Sequence, residues 1–578
     1  METTTTFNVK YVNTTAYTDQ KMGTSGLRKK VKVFQQQHYP ENFIQSVFDA
    51  YDKSAYQNKS VIIGGDGRYY NDVVIQKTIK IAAAHYVKKI ILAENGLMST
   101  PAVSLLIRSQ PKNECFGAFI LTSSHNPGGA DNDMGIKFNN ETGAAIPEYM
   151  NNIIYDKSKV ITQYKLIDYE NDFSLTQAMT FKVKDEHDVN IIHDVEIVIA
   201  NTTSHYISEM KRLFDFELIR SLFQRKDFSF VFDGLNGISG PYAIEIFHKE
   251  FGVPLNNLHN CKPLPDFGGL HPDPNLVHAK LLVELCDVFK HKDDITGLPD
   301  FGAACDGDAD RNMILGKQLF VIPSDCLAVL AANAEKVNCL KGLKGVARSM
   351  PTSSAVDRVA KRKGIPSYET PTGWKFFGNL LDSGRISLCG EEAFGTGSDH
   401  AREKDGIWAI LCWLSILAER NKDNKGTLIG LKEVMVEHWK EYGRQYYCRY
   451  DYEDLTNEET VKVKEKLTES IDVFKKMKEG NNAYVFEYND PVDGNVSKNQ
   501  GWVFKFANGT RIVFRVSGTA STGTTIRMYF EKHVDPDGDL YDDVFEMIKK
   551  GEVDLPKLAV ELSNIHAIAN RTGPTLMT

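Results

Sequence analysis

The chain is expected to be an α/β protein built from several domains. Three observations lead there: apolar, β-branched runs alternate with Gly-rich polar loops and helical patterns, 578 residues exceed what one core holds, and the pattern changes near the C-terminus. Val61-Ile62-Ile63-Gly64-Gly65-Asp66-Gly67, Phe228-Ser229-Phe230-Val231-Phe232-Asp233-Gly234 and Arg385-Ile386-Ser387-Leu388-Cys389-Gly390 each read as a strand entering a loop. Helices are expected over Gln76 to Tyr86, Tyr242 to Phe251 and Ser324 to Asn338. After about Arg420, a charged helical segment from Glu458 to Lys478 mixes with the strands Trp502 to Phe506 and Arg511 to Arg515, joined by the hairpin signal Asn508-Gly509. That segment reads as a smaller α+β domain. Length predicts roughly three to five domains, and without a low-complexity linker they are expected to pack directly.

Composition excludes several classes. Apolar content of 42% and charged content of 25% are ordinary for a soluble globular protein. A net charge of -8 with no Lys/Arg block leaves no extended groove for nucleic acid and does not favour anionic membranes. A phosphorylated substrate would then need a locally basic cleft. Nine scattered cysteines, without Cys-x-x-Cys or zinc spacing, fit a reduced cytosolic compartment. The opening Met-Glu-Thr-Thr-Thr-Thr has no basic region followed by an apolar one, so no secretory signal is expected. The longest apolar run, Ile407 to Ala418, is too short to span a bilayer.

Chemistry concentrates in five loops. In Cys305-Asp306-Gly307-Asp308-Ala309-Asp310-Arg311, alternating carboxylates separated by small residues can turn three oxygens toward one hard cation, with Arg311 as an anion-binding fork beside them. An EF-hand would need Gly and Glu at its sixth and twelfth positions, which here hold Arg311 and Lys317. The remaining alternative is a solvated acidic turn. Leu121-Thr122-Ser123-Ser124-His125-Asn126-Pro127-Gly128-Gly129 follows the strand-like Phe116 to Ile120 and suits either a nucleophilic hydroxyl in an exposed turn or a purely structural turn. Neither Gly-x-Ser-x-Gly nor a Walker loop is present.

Thr370-Pro371-Thr372-Gly373-Trp374-Lys375 is the third loop, and in the fourth, the Gly-flanked Gly390-Glu391-Glu392-Ala393-Phe394-Gly395, a carboxylate can accept hydrogen bonds from neighbouring sugar hydroxyls or serve as a cap. Lys404 precedes an apolar helix starting near Ile407, where the helix dipole opposes it, which hints at a use other than stability. Arg515-Val516-Ser517-Gly518-Thr519-Ala520-Ser521-Thr522-Gly523, followed by Arg527, can wrap the free oxygens of a phosphate monoester or form an ordinary polar turn.

Together these loops resemble the α-D-phosphohexomutases, specifically the glucose-type phosphoglucomutases, with the ciliate parafusins as a candidate nearest group. The resemblance also includes Gly23-Thr24-Ser25-Gly26-Leu27-Arg28-Lys29-Lys30 near the start and Arg571-Thr572-Gly573 near the end. It implies three related α/β domains with mixed sheets and a fourth, mobile α+β domain resembling the TATA-binding-protein fold, around one central cleft. The expected limits are 1–200, 201–322, 323–425 and 426–578.

The same resemblance implies a cytoplasmic, Mg²⁺-dependent enzyme interconverting glucose 1-phosphate and glucose 6-phosphate, with glucose 1,6-bisphosphate as the intermediate that reorients. Ser124 matches the family's phosphoserine, and Ser123 stands where relatives usually carry Ala. Asp306, Asp308, Asp310 and a phosphoserine oxygen would hold the cation. Arg515, Ser517, Thr519 and Arg527 match the phosphate site, Glu391, Thr372 and Gly373 the sugar contacts, and Arg28, Arg311 and Lys404 the charge-stabilising groups. His125, Lys137 and Lys404 are the candidates for general acid/base.

Three departures stand out: Ala309 for Gly in the metal loop, Ala393 for a sugar-contacting Ser, and Ala520 for Gly in the phosphate loop. The alternatives are a mutase or bisphosphate synthase for another hexose or pentose phosphate, and a weakly active scaffold regulating a partner. Oligomeric state is not readable from the sequence.

Overall fold

The computed structural model describes residues 5–23, 26–187, 192–478, 480–518 and 523–578. The chain divides into two compact units, one formed by Met1–Phe320, Lys336–Cys339 and Phe394–Leu428, the other by Val321–Glu335, Leu340–Ala393 and Ile429–Thr578.

In the first unit, nine strands form one mixed sheet. Its centre is parallel: Ser60–Gly65 lies between Lys89–Leu97 and Cys115–Leu121, and Ile192–Ala200 extends it. Ser60–Gly65 and Cys115–Leu121 are buried at every position, as parallel strands covered on both faces must be, which is why they read as continuous apolar runs. Asp133–Asn140 then pairs antiparallel with Cys115–Leu121, and Leu27–Lys30 with Asp133–Asn140. The helix expected from Gln76 runs Asn71–Ala84 and lays Val74, Ile75 and Ile79 into the core beneath this sheet. A second sheet pairs Phe230–Asp233 with Leu258–His259 and Phe301–Cys305 in parallel, and Phe301–Cys305 with Asn312–Gly316 antiparallel.

The helix expected over Tyr242 to Phe251 starts earlier, as Ser239–Ala243, and widens into a π-helical segment over Ile244–Glu250. The apolar helix expected near Ile407 runs Gly406–Asn421, with Asp405 accepting a hydrogen bond from the backbone of Trp408 as its N-cap.

In the second unit, Val346–Ser349 lies between Ser367–Thr370 and Leu388–Glu391, all parallel. The helix expected over Ser324 to Asn338 ends at Ala332, where Asn333 turns its side-chain amide back onto the Val329 carbonyl. The C-terminal segment is a six-stranded sheet running Gly480–Val485, Trp502–Phe506, Arg511–Gly518, Thr524–Val534, Arg444–Leu455 and Leu576–Met577, antiparallel throughout. Asn457–Lys475 and Leu555–Ser563 cover it, burying Val463, Leu467, Phe474 and Leu558 against Phe504, Phe514 and Phe530. This is the α+β arrangement expected after Arg420. Arg511 ties it to the parallel strands: the guanidinium pairs with Glu531 and reaches the Met350 carbonyl at 2.9 Å and Glu369 at 3.3 Å.

Candidate active site

In the first unit the functional loops leave the C-terminal ends of parallel strands, where backbone N–H groups and side chains are free to meet a ligand. Ser124, three residues beyond Cys115–Leu121, is 2% exposed and sits in the left-handed region with φ of 52°. Its backbone N–H donates to Thr122 Oγ1 at 2.8 Å, and its Oγ donates to Asp306 Oδ2 at 2.8 Å. His125 Nδ1 lies 3.3 Å from the same Oγ. Gly307 makes this approach possible: a Cβ there would stand 2.6 Å from the Ser124 carbonyl oxygen.

The loop after Phe301–Cys305 carries Asp306, Asp308 and Asp310, all buried, with one oxygen of each within 4.8 Å of the others. Burial, and then the charges of Asp308 and Asp310, hold the Asp306 carboxyl well above the usual range. Thr100 Oγ1 donates to Asp308 Oδ2 at 2.7 Å, the Arg311 backbone N–H donates to Asp306 Oδ1 at 2.9 Å, and Lys404 Nζ pairs with Asp310 Oδ1 at 2.9 Å. Asp308 Oδ1 is buried without a hydrogen-bond partner. Three crowded carboxylates, hard oxygen donors and an orphaned ligand atom fit a small divalent cation. Ala309 adopts φ of 64°, a conformation in which Gly would carry no strain.

Cationic groups surround this cluster. Burial pushes the Arg28 guanidinium below its ordinary value, opposed by the charges of Asp308 and Asp310. Arg311 binds Asp273 Oδ1 at 3.0 Å and approaches His125 Nε2 at 3.5 Å. Burial, followed by the Arg311 and Arg28 charges, holds His125 well below its usual range. Lys137 Nζ pairs with Glu403 at 2.6 Å, and Asn139 donates to the same carboxylate oxygen at 2.8 Å. Ser124, His125, Lys137, Lys404, Arg28, Arg311 and the three aspartates thus lie together in one unit.

The second unit gathers the sugar and phosphate candidates. Gly373, at φ of 128° before Trp374–Asp382, donates its backbone N–H to Glu391 Oε1 at 2.9 Å. Thr372 Oγ1 is buried without a hydrogen-bond partner. Arg515 and Arg527 face each other in register on adjacent antiparallel strands, a like-charge pairing that a bound anion would relieve. Asp451 lies opposite Arg527, its carboxylate 3.6 Å from the guanidinium. Burial works to lower the Arg515 guanidinium, yet Tyr529 and Glu392 more than offset it and leave it raised. Glu392 accepts hydrogen bonds from Ser349 at 2.9 Å and Tyr529 at 3.2 Å. Ser517 lies opposite Thr525, while Thr519, Ala520, Thr24 and Ser25 fall outside the described residues.

Sequence reasoning missed Glu403, Glu392 and Thr122, which bond Lys137, Tyr529 and the Ser124 backbone. Glu403 and Glu392 adjoin residues it chose and looked like ordinary charges. Their signal was position alone, each beside a candidate in a Gly-flanked or helix-entry loop.

Phosphoglucomutase/phosphomannomutase family models match alpha/beta/alpha domain I over residues 19–165, domain II over 204–318 and domain III over 323–442. The phosphoglucomutase-1 C-terminal domain matches 444–575. Phosphoglucomutase-2 of Paramecium tetraurelia is 48% identical over 571 residues, covering 98% of each chain. The cytoplasmic phosphoglucomutase of Solanum tuberosum is 46% identical over 593 residues, covering 99% of this chain and all of its own. The crystal structure of the phosphoglucomutase pp63/parafusin from Paramecium superposes with a TM-score of 0.92 at 46% identity over the full length of both chains. The chain belongs to the phosphoglucomutase family.

Proposed function

We propose that this protein is a Mg²⁺-dependent phosphoglucomutase that interconverts glucose 1-phosphate and glucose 6-phosphate through a phosphoserine at Ser124. The observation that carries the reading is the 2.8 Å contact of Ser124 Oγ with Asp306, inside a buried cluster of three carboxylates ringed by cationic side chains. Asp306, Asp308, Asp310 and a phosphoserine oxygen would hold Mg²⁺. When bound, the ion supplies neutralising charge to the transferring phosphoryl group.

The chain's own residues do the rest. Ser124 carries the phosphoryl group and passes it to O6 of glucose 1-phosphate. The resulting glucose 1,6-bisphosphate reorients, and its O1 phosphate returns to Ser124, releasing glucose 6-phosphate. Arg28, Arg311 and Lys404 stabilise charge around the transfer. Arg515, Ser517, Thr519 and Arg527 hold the phosphate that is not reacting, and Glu391, Thr372 and Gly373 orient the sugar. His125, Lys137 and Lys404 are the candidates for carrying the proton of the attacking hydroxyl. His125 is favoured because its ring touches Ser124, whereas carboxylates hold Lys137 and Lys404 in ion pairs.

Domain limits of 1–200, 201–322, 323–425 and 426–578 belong to the same proposal. So does a cytoplasmic location, supported by the names of plant relatives. No helix among the described residues is long and apolar enough to cross a membrane. The test incubates purified protein with Mg²⁺, glucose 1-phosphate and a trace of glucose 1,6-bisphosphate, with Ser124→Ala alongside. Glucose 6-phosphate from the parent and none from the variant supports the reading. No product from the parent defeats it.

A further inference from the structure

Against the serine loop lies a fully buried ion pair between Asp66 and Arg68. Arg68 is 1% exposed, and all three of its guanidinium nitrogens are engaged. Nε and Nη2 bind the Asp66 carboxylate at 2.9 and 2.8 Å, and Nη2 also donates to the Ser124 carbonyl at 2.8 Å. Nη1 donates to the Asn126 carbonyl at 3.2 Å and the Asp133 carbonyl at 3.0 Å. Asp66 Oδ2 accepts from Thr122 Oγ1 at 2.7 Å, and that hydroxyl oxygen accepts the Ser124 N–H at 2.8 Å. Both peptide groups flanking the Ser124 Cα are therefore held by one buried pair.

This accounting separates positioning from catalysis. A guanidinium with every nitrogen spent on a carboxylate and backbone carbonyls keeps no directed donor for a phosphate. Ser124 has φ of 52°, a costly conformation for a residue with a Cβ, which persists only when its surroundings over-determine it. Three carbonyls on the planar guanidinium fork, and one N–H held through Thr122 by Asp66, supply that constraint. The Asp133 carbonyl also opens the strand Asp133–Asn140 that presents Lys137, so the same fork fixes the loop against that strand. Lysine, a point donor without the planar fork, could not reproduce three carbonyl contacts and a bidentate pair together.

We infer that Arg68 is the positioning residue of the phosphoryl-carrying serine, with Asp66 and Thr122 completing a clamp that holds Ser124 Oγ in line with Asp306. The inference rests on reading Ser124 as the phosphoryl carrier.

The test uses the full chain as Arg68→Lys, Thr122→Val and Arg68→Ala, measuring kcat, KM, Tm and amide hydrogen exchange of the segment 121–126. Arg68→Lys is expected to stay folded and lose about ten-fold or more in kcat while KM moves less than about three-fold, since the chemistry and not substrate binding is displaced. Thr122→Val, which leaves no unpaired charge, is expected to lose roughly three-fold in kcat. In both, exchange rises at Ser124 to Asn126 while the rest of the sheet keeps its protection. Guanidinium ion at low concentration is expected to restore part of the Arg68→Ala activity. Parental kcat and protection in folded Arg68→Lys and Thr122→Val would overturn the clamp, as would activity losses that track the unfolded fraction. If Arg68→Lys does not fold, Thr122→Val decides. A parent without mutase activity defeats the functional reading, while the exchange measurement still tests the clamp.

Discussion

Ser124 Oγ donates a hydrogen bond to Asp306 Oδ2 at 2.8 Å across 182 residues of sequence. Phosphorylation replaces that donated proton with a group carrying nearly two negative charges at neutral pH, directly against a carboxylate. The contact then turns from attractive to repulsive unless positive charge is brought in, and Arg28, Arg311 and Lys404 are already occupied in part by the carboxylates.

Chelation is therefore expected to lower the Tm of the phosphorylated protein more than that of the unphosphorylated one. At a cation concentration about a hundred times Kd, binding is worth about 2.7 kcal/mol, or several degrees. Differential scanning of both forms with EDTA and with Mg²⁺ checks this. Equal shifts in the two forms would mean that the phosphoserine is not a ligand.

Asp308→Asn separates metal binding from folding. The amide oxygen can keep the Thr100 hydrogen bond at 2.7 Å while one of three crowded charges disappears. Metal-free stability is expected to be unchanged or higher, because the Asp308 charge helps push Asp306 up. Turnover is expected to fall by about three orders of magnitude. Turnover within a few-fold of the parent would remove Asp308 from the cation site.

Much of this site is legible because it is local. Asp306, Asp308 and Asp310 declare themselves within five residues, and Ser124 within its own turn. The clamp and the lysine partner are not local: Thr122 meets Asp66 across 56 residues, and Glu403 meets Asn139 across 264. Neither Asp66 nor Glu403 stands out in its own segment, since Gly-Asp-Gly and Arg-Glu-Lys are common loop runs whose partners only the strand order reveals. The α/β and α+β halves were readable from periodicity, because Ser60–Gly65 is buried on both faces and Trp502–Phe506 adjoins a tight hairpin. Helix ends were less so: the helix from Pro323 ends at Ala332, and its C-cap Asn333 bonds the Val329 carbonyl through its side chain, a contact that no hydrophobic pattern encodes.

Arg515 and Arg527 face each other in register, and the Tyr529 hydroxyl and Glu392 hold Arg515 charged. Arg515→Lys keeps the charge but loses the fork that suits a phosphate. One charge-assisted hydrogen bond is worth about 1.5–3 kcal/mol, so kcat/KM for glucose 1-phosphate is expected to drop about ten- to a hundred-fold. Steady-state kinetics within two-fold of the parent would reject Arg515 as a phosphate ligand.

Ala309 is 1% exposed and has φ of 64°. An L-residue in that conformation costs about 1–2 kcal/mol, and Gly would return about 0.4–1 kcal/mol of this through the greater entropy of its unfolded chain. Ala309→Gly is accordingly expected to be more stable by about 0–1.6 kcal/mol with turnover unchanged. Denaturant unfolding together with kcat tests it, and a clear loss of stability would show that the Ala methyl packs usefully.

The last expectation concerns pH. Asp325 is buried and accepts a hydrogen bond from Trp439 Nε1 at 3.1 Å, and burial pushes its carboxyl up to about 6 from an ordinary 3.8. Because the folded state holds this proton more tightly than the unfolded chain, its contribution is fully present below pH 3.8 and is lost as pH rises through about 6. His438, pushed down to about 4 by burial, acts in the opposite sense over nearly the same range, so the parent alone would show a muted profile. Asp325→Asn keeps an acceptor for Trp439 and removes only the carboxyl titration, leaving His438 unchanged. Between pH 4 and 7 the parent is expected to lose on the order of 1–3 kcal/mol of stability relative to this variant. Urea unfolding of both proteins across that range measures the difference, and parallel profiles would show that Asp325 holds its proton no more tightly in the folded state than in the unfolded chain.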